Sequence, residues 1–258
     1  GDHCTAALSN AQLHTAALAA LEAKNDFISF ILHELKNPIT SISGYADLLA
    51  GGSVGAVTEI QAKYLNTIRA NAARLFTLVS DLMDLSRIEE GQMRLDFGSF
   101  EPGDIIAEVV VSHQPQLDEK HQLLELNLPD GLPLVRTDRK RLYQVLTNLV
   151  NNAQKFTPQD GRIVISSEAA TNQWDERGAP RVVHVWVQDN GIGIRPEDVG
   201  EVFKKFYRAE DPLVQRIPGT GLGLHITKYL VEALGGRIWF ESEYQQGTTF
   251  HITIPVAG

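Results

Sequence analysis

The stretch FISFILHELKNPITSISGY, residues 27–45, has the apolar spacing of an amphipathic helix. From Ile28 onward, apolar side chains recur alternately three and four positions apart, which is the heptad pattern of packed helices. We call this stripe the first seam. Within residues 14–49 it consists of Leu18, Leu21, Ile28, Leu32, Leu35, Ile39, Ile42, Ala46 and Leu49. The pattern predicts one long helix with a single apolar face.

A second helix is predicted after the break GGSVGAV at residues 51–57. The Thr58 hydroxyl can cap this helix while the Gln61 side chain reaches back to Thr58. Its own stripe, the second seam, consists of Leu65, Ile68, Ala72, Leu75, Val79 and Leu82. Two antiparallel helices cannot cover both seams and the flanking apolar residues Phe27, Ile31, Phe76 and Leu78. The sequence therefore predicts a homodimer in which two hairpins form a four-helix bundle.

One histidine lies beside the first seam. His33 follows Leu32 by one position, which rotates it about 100° around the helix, away from the seam and toward solvent. Glu34 can accept a hydrogen bond from one imidazole nitrogen and leave the other free as a nucleophile. Asn37 lies one turn further on the same face, where its amide can orient a water or a phosphoryl oxygen. Pro38 lacks the N–H that would bond to the carbonyl of Glu34, so it weakens the helix beside the histidine.

The pattern changes after the second helix. Residues 89–104, EEGQMRLDFGSFEPGD, combine glycines, a proline and an alternating run, and predict a linker into a new domain that begins near Gly91. Helices are predicted over 104–119, 138–155 and around 221–234, and strands over 123–128, 162–169, 181–189, 237–243 and 248–255. Because these elements lack a regular βαβ rhythm, we expect an α+β two-layer sandwich with helices on one face of a mixed sheet.

The helical stretch NLVNNAQKFT, residues 148–157, carries two amides on one face, since Asn148 and Asn152 are four positions apart. Amide oxygens are suitable ligands for Mg²⁺, which prefers oxygen and retains water and phosphate as its other ligands. Lys155 would supply positive charge to phosphates. By itself the segment is equally consistent with an amphipathic helix that has solvated amides.

A strand-ending aspartate with two glycines occurs in DNGIGI, residues 189–194. A carboxylate at Asp189 can accept a hydrogen bond from the exocyclic amine of adenine and would repel the carbonyl oxygen of guanine. Gly191 and Gly193 permit a tight turn and a close backbone approach. The same short motif also occurs in ordinary turns.

A glycine-rich helix start, GTGLGL, covers residues 219–224. Its glycines, Gly219, Gly221 and Gly223, would let backbone amides surround phosphates at a helix N-terminus. The preceding stretch VFKKFYR, residues 202–208, ends in Arg208, whose guanidinium can reach phosphates or simply belong to a solvated charged face. Between them, AEDPLVQRIPG at residues 209–219 has the composition of a mobile lid.

Composition restricts the possible classes of protein. The 258 residues, 43% hydrophobic and 21% charged, fit one large or two ordinary globular domains, and we expect two. The net charge of −9 and the scattered basic residues argue against a nucleic-acid or anionic-membrane surface.

The single cysteine, Cys4, favours a cytoplasmic location without disulfides. No apolar run approaches the roughly 18–20 residues of a membrane helix, and we expect the parent protein to be either soluble or membrane-anchored.

Five motifs occur in a fixed order: HELKNP (33–38), NLVNNAQKFT (148–157), DNGIGI (189–194), VFKKFYR (202–208) and GTGLGL (219–224). In this order they resemble the H, N, G1, F and G2 boxes of the sensor histidine kinases of two-component systems, over nearly the whole chain. The last four alone are also similar to other ATPases of the same superfamily. Asn37, where threonine is commoner, and Gln154, where an aliphatic residue is usual, are small departures from the family pattern.

The resemblance implies a signal-transmitting helix over residues 1–26, a dimerisation and histidine phosphotransfer hairpin over 27–90, and an ATP-binding domain of the Bergerat or GHKL type over 91–258. It implies that ATP phosphorylates His33, with Glu34 and Asn37 as catalytic neighbours, and that the phosphoryl group passes to an aspartate of a response-regulator receiver domain. Phosphatase activity toward that regulator is also implied.

The resemblance assigns Mg²⁺ to Asn152, with Asn148 and Lys155 near the phosphates, and adenine to Asp189 and Phe156. The complete implied ATP-binding set is Asn148, Asn152, Lys155, Phe156, Asp189, Gly191, Gly193, Arg208, Gly219, Thr220, Gly221, Leu222, Gly223 and Leu224. Two other functions stay open: a non-phosphorylating ATPase, and a scaffold or phosphatase-biased module whose ATP site regulates docking. Acid-labile phosphate on His33 would separate them from a kinase.

Overall fold

A computed structural model describes residues 31, 32, 34–175 and 178–258 of the chain. The predicted helix over 1–26, the first-seam residues before position 31, and His33 lie outside the described residues. The chain divides into two compact units, Gly1–Met93 and Arg94–Gly258, which we describe separately. No helix within the described ranges has both the length and the apolar composition needed to cross a membrane.

The described part of the first unit is the predicted helical hairpin. Helix α1 covers residues 34–50 without interruption at Pro38, a turn follows at 51–57, and helix α2 covers Glu59–Glu89. The predicted capping box is confirmed at the start of α2. The Gln61 N–H donates to the Thr58 hydroxyl oxygen at 3.3 Å, and the Thr58 N–H donates to the Gln61 Oε1 at 2.8 Å.

Each seam divides into a buried and a half-exposed set. Leu32 and Ile39 form a buried cluster with Ala72 and Val79, against which Leu82 and Met83 pack. The alternate seam residues are 43–50% exposed, and they are Leu35, Ile42, Leu49, Ile68 and Leu75. The hairpin therefore closes on one half of its apolar seams and leaves the other half uncovered.

The second unit contains a five-stranded mixed sheet in the order β2-β4-β5-β7-β6. The bounds are β2 Leu123–Asn127, β4 Arg162–Thr171, β5 Arg181–Asp189, β6 Ile238–Glu243 and β7 Gly247–Pro255. Strand β2 is parallel to β4, and every other pairing in this sheet is antiparallel. The predicted strands are confirmed to within two residues at each end.

Three helices cover one face of this sheet: α3 Pro102–Glu119, α4 Arg139–Phe156 and α6 Gly223–Ala233. Helix α4 contacts both α3 and α6 as well as β5, so it lies at the centre of the helical layer. The core between the layers includes the fully buried residues Ile105, Leu149, Ile163, Leu230 and Ile252. Hydrophobic burial here holds α4 and α6 side by side, and the two-layer sandwich is confirmed.

Two short strands were not predicted. Strand β1, Gly98–Phe100, lies in the predicted linker and pairs with β3, Val135–Thr137, to form a separate two-stranded sheet. Each strand has three residues, which is too short to show an alternating pattern. On its other side, Val135 forms an isolated antiparallel bridge with Val256 near the end of the chain.

Asp138 connects this small sheet to α4. Its Oδ1 accepts hydrogen bonds from the N–H groups of Lys140 and Arg141 at 3.0 and 3.1 Å, so it caps the N-terminus of the helix. Its Oδ2 accepts from the Asp96 N–H at 2.9 Å. The start of the unit is thereby attached to the helix that carries Asn148 and Asn152.

Candidate functional site

Asp189, the last residue of β5, is only 8% exposed. Its Oδ1 accepts hydrogen bonds from the N–H of Gly191 at 2.8 Å and from the N–H of Thr248 at 3.3 Å. Within the described part of the chain, Oδ2 accepts no hydrogen bond. Burial raises the pKa of Asp189 to about 6, although the two N–H donors act in the opposite direction. The carboxylate is thus fixed by one oxygen and has acceptor capacity left on the other.

The loop after Asp189 lies close to neighbouring backbone. A Cβ on Gly191 would lie 2.5 Å from the carbonyl oxygen of Phe156, the last residue of α4, and a Cβ on Gly193 would lie 2.1 Å from that of Glu243. The Ile192 N–H donates to the same Phe156 carbonyl at 3.3 Å. Gly193 also has a φ of +66°, which glycine adopts without strain. Both predicted glycines are therefore required by this local packing.

Asn148 lies against the start of α6. Its Nδ2 donates to the Thr227 hydroxyl at 2.7 Å, and a Cβ on Gly223 would lie 2.5 Å from its Oδ1. Asn152, one turn further along α4, is half-buried and makes no hydrogen bond with the described residues. Lys155 and Phe156 are half-buried in the last turn of the same helix. The amide of Asn152 thus retains its full capacity to bind a ligand.

The glycine-rich segment leads into α6, which begins at Gly223. The Leu222 N–H donates to the Thr220 hydroxyl at 3.2 Å, while Gly221 has a φ of +72°. A Cβ on Gly221 would lie 2.6 Å from the carbonyl carbon of Phe206. The first N–H groups of any helix have no intrahelical acceptor and suit an anion. The half-buried Leu224 lies in this first turn, whereas Gly219 is exposed before it.

The predicted lid segment, residues 209–219, contains a short helix α5, Pro212–Arg216. The guanidinium of Arg208 donates to the carbonyl oxygens of Val214 at 2.9 Å, Ile217 at 2.6 Å and Gly219 at 3.3 Å. In this conformation Arg208 stabilises the lid segment, and its guanidinium is engaged there.

In the hairpin, the predicted catalytic neighbours Glu34 and Asn37 are both exposed. Two hydroxyls bond back along the helix after Pro38: Thr40 donates to the Lys36 carbonyl at 2.9 Å, and Ser41 to the Asn37 carbonyl at 3.3 Å. Such bonds weaken or bend a helix. This local chemistry adds to the weakening that Pro38 causes.

Sequence reasoning missed Thr227, Thr248 and Gly247 as parts of the site. A Cβ on Gly247, which has a φ of +130°, would lie 2.0 Å from the carbonyl oxygen of Asp189. The only sequence signal for this approach is a glycine at the start of a strand, a position that often marks close backbone contact. Thr227 gives no signal, because its partner Asn148 is 79 residues away in the sequence.

The assembled residues fit an adenine nucleotide with Mg²⁺. The buried Asp189 has an acceptor oxygen for an amine, and the glycines at 191, 221 and 223 occupy places where a side chain would collide with neighbouring atoms. The Asn152 amide offers an oxygen of the kind that Mg²⁺ prefers. The start of α6 offers backbone N–H groups for phosphates.

Two domain families match the sequence. The His Kinase A (phospho-acceptor) domain matches residues 23–91, and the histidine kinase-, DNA gyrase B- and HSP90-like ATPase matches residues 137–258. Together with the relatives and solved structures described next, these matches show that the chain belongs to the sensor histidine kinases and carries their catalytic core. Its ATPase domain is of the type that binds ATP, for which Mg²⁺ is the usual partner.

Among curated relatives, the circadian input-output histidine kinase CikA of Synechococcus elongatus is 35% identical over 93% of this chain and 31% of its own length. The histidine protein kinase DivJ of Caulobacter vibrioides is 32% identical over 98% of this chain and 40% of its own length. The chain therefore spans about a third of the length of such relatives.

Solved structures show the same fold. Full-length ShkA in complex with AMPPNP superposes with a TM-score of 0.69 at 27% identity, covering 90% of this chain and 46% of that one. The catalytic domain of histidine kinase ThkA superposes with a TM-score of 0.52 at 30% identity, covering 64% of this chain and 100% of that domain.

Proposed function

We propose that this chain is a protein-histidine kinase core that transfers the γ-phosphoryl group of ATP to His33 and then to an aspartate of a response-regulator receiver domain. The observation that carries the proposal is the buried Asp189 carboxylate, fixed by the N–H groups of Gly191 and Thr248 beside a glycine-rich helix start. Family membership supports the phosphoryl acceptor, because the histidine lies within the matched phospho-acceptor domain. We place this reaction in the cytoplasm.

We assign the following nucleotide roles as part of this proposal. Asp189 accepts a hydrogen bond from the adenine amine, and Phe156 packs on the base. Asn148 and Lys155 lie near the phosphates, and Asn152 holds Mg²⁺. When bound, Mg²⁺ supplies positive charge to the phosphate oxygens. The remaining contacts to the nucleotide come from the loop glycines and the start of α6, namely Gly191, Gly193, Gly219, Thr220, Gly221, Leu222, Gly223 and Leu224.

At the hairpin, a neutral imidazole nitrogen of His33 attacks the γ-phosphorus in line. A P–N bond forms, the bond from the γ-phosphorus to the β,γ-bridging oxygen breaks, and ADP leaves with that oxygen. Glu34 accepts a hydrogen bond from the other imidazole nitrogen and orients the ring. The connection near Gly91, where we place the domain boundary, allows the nucleotide to reach His33.

The kinase acts as a homodimer. The half-exposed members of the two seams would pack against a second copy of the hairpin in a four-helix bundle, where their burial stabilises association. The partner in phosphotransfer is a receiver domain. Asn37, exposed one turn after His33, can orient a water toward a phosphoaspartate, so we also propose phosphatase activity toward the phosphorylated regulator.

Incubation with γ-labelled ATP and Mg²⁺ tests the proposal. The expected product is acid-labile, alkali-stable phosphate on His33, which is absent from His33→Gln. Asp189→Asn should lose the label and nucleotide binding together, whereas His33→Gln should still bind nucleotide. Two outcomes would refute the kinase assignment: label that persists in His33→Gln, or wild-type protein that binds ATP without becoming labelled. Either would favour a conformational ATPase or a scaffold.

A further inference from the structure

The turn between β6 and β7 touches the adenine side of the site. The Gln245 N–H in this turn donates to the Ile192 carbonyl at 2.7 Å. Immediately after the turn, the Thr248 N–H donates to Asp189. Gly193 lies against the carbonyl of Glu243, the last residue of β6. This turn is therefore packed on the loop that follows Asp189.

The same turn also holds the start of the lid segment. The Tyr244 hydroxyl donates to Asp211 Oδ2 at 2.8 Å, and Asp211 is only 4% exposed. Asp211 Oδ1 accepts from the Leu213 N–H at 2.7 Å and so caps α5. The Leu213 N–H and then the Tyr244 hydroxyl lower the pKa of Asp211, which remains a charged acceptor for both donors.

The lid segment is held at two points. Asp211 fixes its first turn to Tyr244, and Arg208 binds three carbonyl oxygens toward its other end. A five-residue helix has no stability of its own, because the cost of nucleating a helix exceeds the gain from so few hydrogen bonds. The order of α5 therefore depends on contacts outside the helix, namely these two attachments and the hydrogen bond from Gln215 Nε2 to the Ala209 carbonyl at 2.8 Å.

We propose that Tyr244 and Asp211 are positioning residues for the nucleotide, which anchor the start of the lid segment to the turn that also fixes Asp189. The inference rests on the proposed ATP site and extends it. Both residues hold protein segments beside the site and have no assigned role in the chemistry, so we expect the pair to affect how tightly the nucleotide binds. Loss of the Tyr244–Asp211 hydrogen bond should raise the Kd and the KM for ATP but leave the rate of His33 phosphorylation at saturating ATP unchanged.

Tyr244→Phe removes only the hydroxyl and tests the anchor. We expect the Kd for AMPPNP, measured by titration calorimetry, and the KM for ATP to rise on the order of tenfold, as for loss of one hydrogen bond to a charged group. Without nucleotide, trypsin should cleave the Arg216–Ile217 bond several-fold faster, as followed by mass spectrometry. The matched control is Tyr143→Phe, because the Tyr143 hydroxyl makes no hydrogen bond with the described residues. This change should leave the Kd, the KM and the cleavage rate unaltered.

A double-mutant cycle with Asp211→Asn completes the test. Asparagine still caps α5 but weakens the acceptor for Tyr244, so the double variant should bind AMPPNP no more weakly than the weaker single variant. Unchanged AMPPNP affinity and unchanged trypsin cleavage in Tyr244→Phe would overturn the anchor and leave the proposed function intact. Failure of the wild-type protein to bind AMPPNP would instead overturn the proposed function, and the anchor with it.

Discussion

The backbone N–H of Thr248 donates to Asp189 Oδ1 at 3.3 Å, although the two residues are 59 positions apart in the sequence. The contact joins β7 to the end of β5 and fixes one oxygen of a buried carboxylate. Burial raises the pKa of this carboxyl to about 6, close to physiological pH. Nucleotide recognition at this site should therefore depend on pH.

Below about pH 6, Asp189 becomes protonated, and because two N–H groups hold Oδ1, the proton turns Oδ2 into a hydrogen-bond donor and a much weaker acceptor for the adenine amine. We expect the affinity for AMPPNP to be constant from pH 7 to 8 and to fall about tenfold for each further pH unit below 6. Calorimetric titrations across this range measure it. An Asp189→Asn variant should bind weakly at every pH, and a flat profile in the wild-type protein would contradict the assignment.

Asp189 should also destabilise the fold when it is charged. Its folded-state pKa is raised, so the folded protein holds this proton more tightly than the unfolded chain, and stability is gained as pH falls from above 6 toward 4. The rise from 3.8 to about 6 corresponds to about 3 kcal/mol at most. At pH 8, Asp189→Asn should therefore unfold at higher urea concentration than the wild-type protein.

Tryptophan fluorescence can follow that unfolding, because all three tryptophans, at positions 174, 186 and 239, belong to the second unit. The stabilising effect of Asp189→Asn should shrink as pH falls through 6. Asp130→Asn, at an exposed turn, is the matched control and should leave the urea midpoint unchanged. If Asp189→Asn is instead less stable than the wild-type protein at pH 8, the surroundings of Asp189 stabilise its charged form more than we infer.

Gly223→Ala should weaken nucleotide binding without unfolding the protein. The new Cβ would lie 2.5 Å from Asn148 Oδ1, so the amide must move away from its bond to Thr227. We expect at least about a tenfold rise in the Kd for AMPPNP. Gly103→Ala, in the first turn of α3 with no atom within 4 Å of the new Cβ, is the control and should bind normally.

The uncovered half of the seams predicts a specific effect on assembly. Ile42 is 50% exposed in the hairpin, and Ile42→Glu should place a charge in the proposed dimer interface. The dimer dissociation constant should rise at least about tenfold, as expected from losing the burial of one aliphatic side chain. Light scattering over a dilution series measures it. Val111→Glu, at a residue that is 74% exposed on α3, should leave the dimer intact.

Pro38→Ala restores an N–H for the carbonyl of Glu34 and should stabilise α1 by about 3 kcal/mol, the difference between proline and alanine within a helix. A stiffer helix beside His33 should change the ratio of kinase to phosphatase rates. The two rates are measured separately, with labelled ATP and with the phosphorylated regulator. If both rates are unchanged, the weakening of the helix at Pro38 does not affect either activity.

Local patterns were sufficient to predict the long elements. The helical period predicted α2 and α4, and β-branched runs predicted β4 and β5, because these elements are long enough for the period to be visible. Strands β1 and β3 and helix α5 were missed, since their three to five residues carry no measurable period. Their order comes from contacts with distant residues.

The site was predictable only in part for the same reason. The motifs drew attention to Asp189 and Asn148 but not to Thr248 and Thr227, which bond to them. Likewise, the seam pattern located Leu32 and Leu35 on one stripe but did not reveal that Leu32 is 5% and Leu35 is 46% exposed. Whether a seam residue is buried or exposed depends on which other helix packs against it. The apolar period of a single helix does not identify that neighbour.

The small sheet has a further consequence. Strand β3 separates β1, near the start of the second unit, from Val256, which bridges to Val135. Since neighbouring strands lie roughly 4.8 Å apart, the backbone at Phe100 and the backbone at Val256 lie within about 10 Å of each other. A unit whose two ends are adjacent can be circularly permuted, or inserted into a loop of a host protein, without stretching its backbone. We therefore expect the ATP-binding unit to tolerate new connections to other domains on this side of the small sheet.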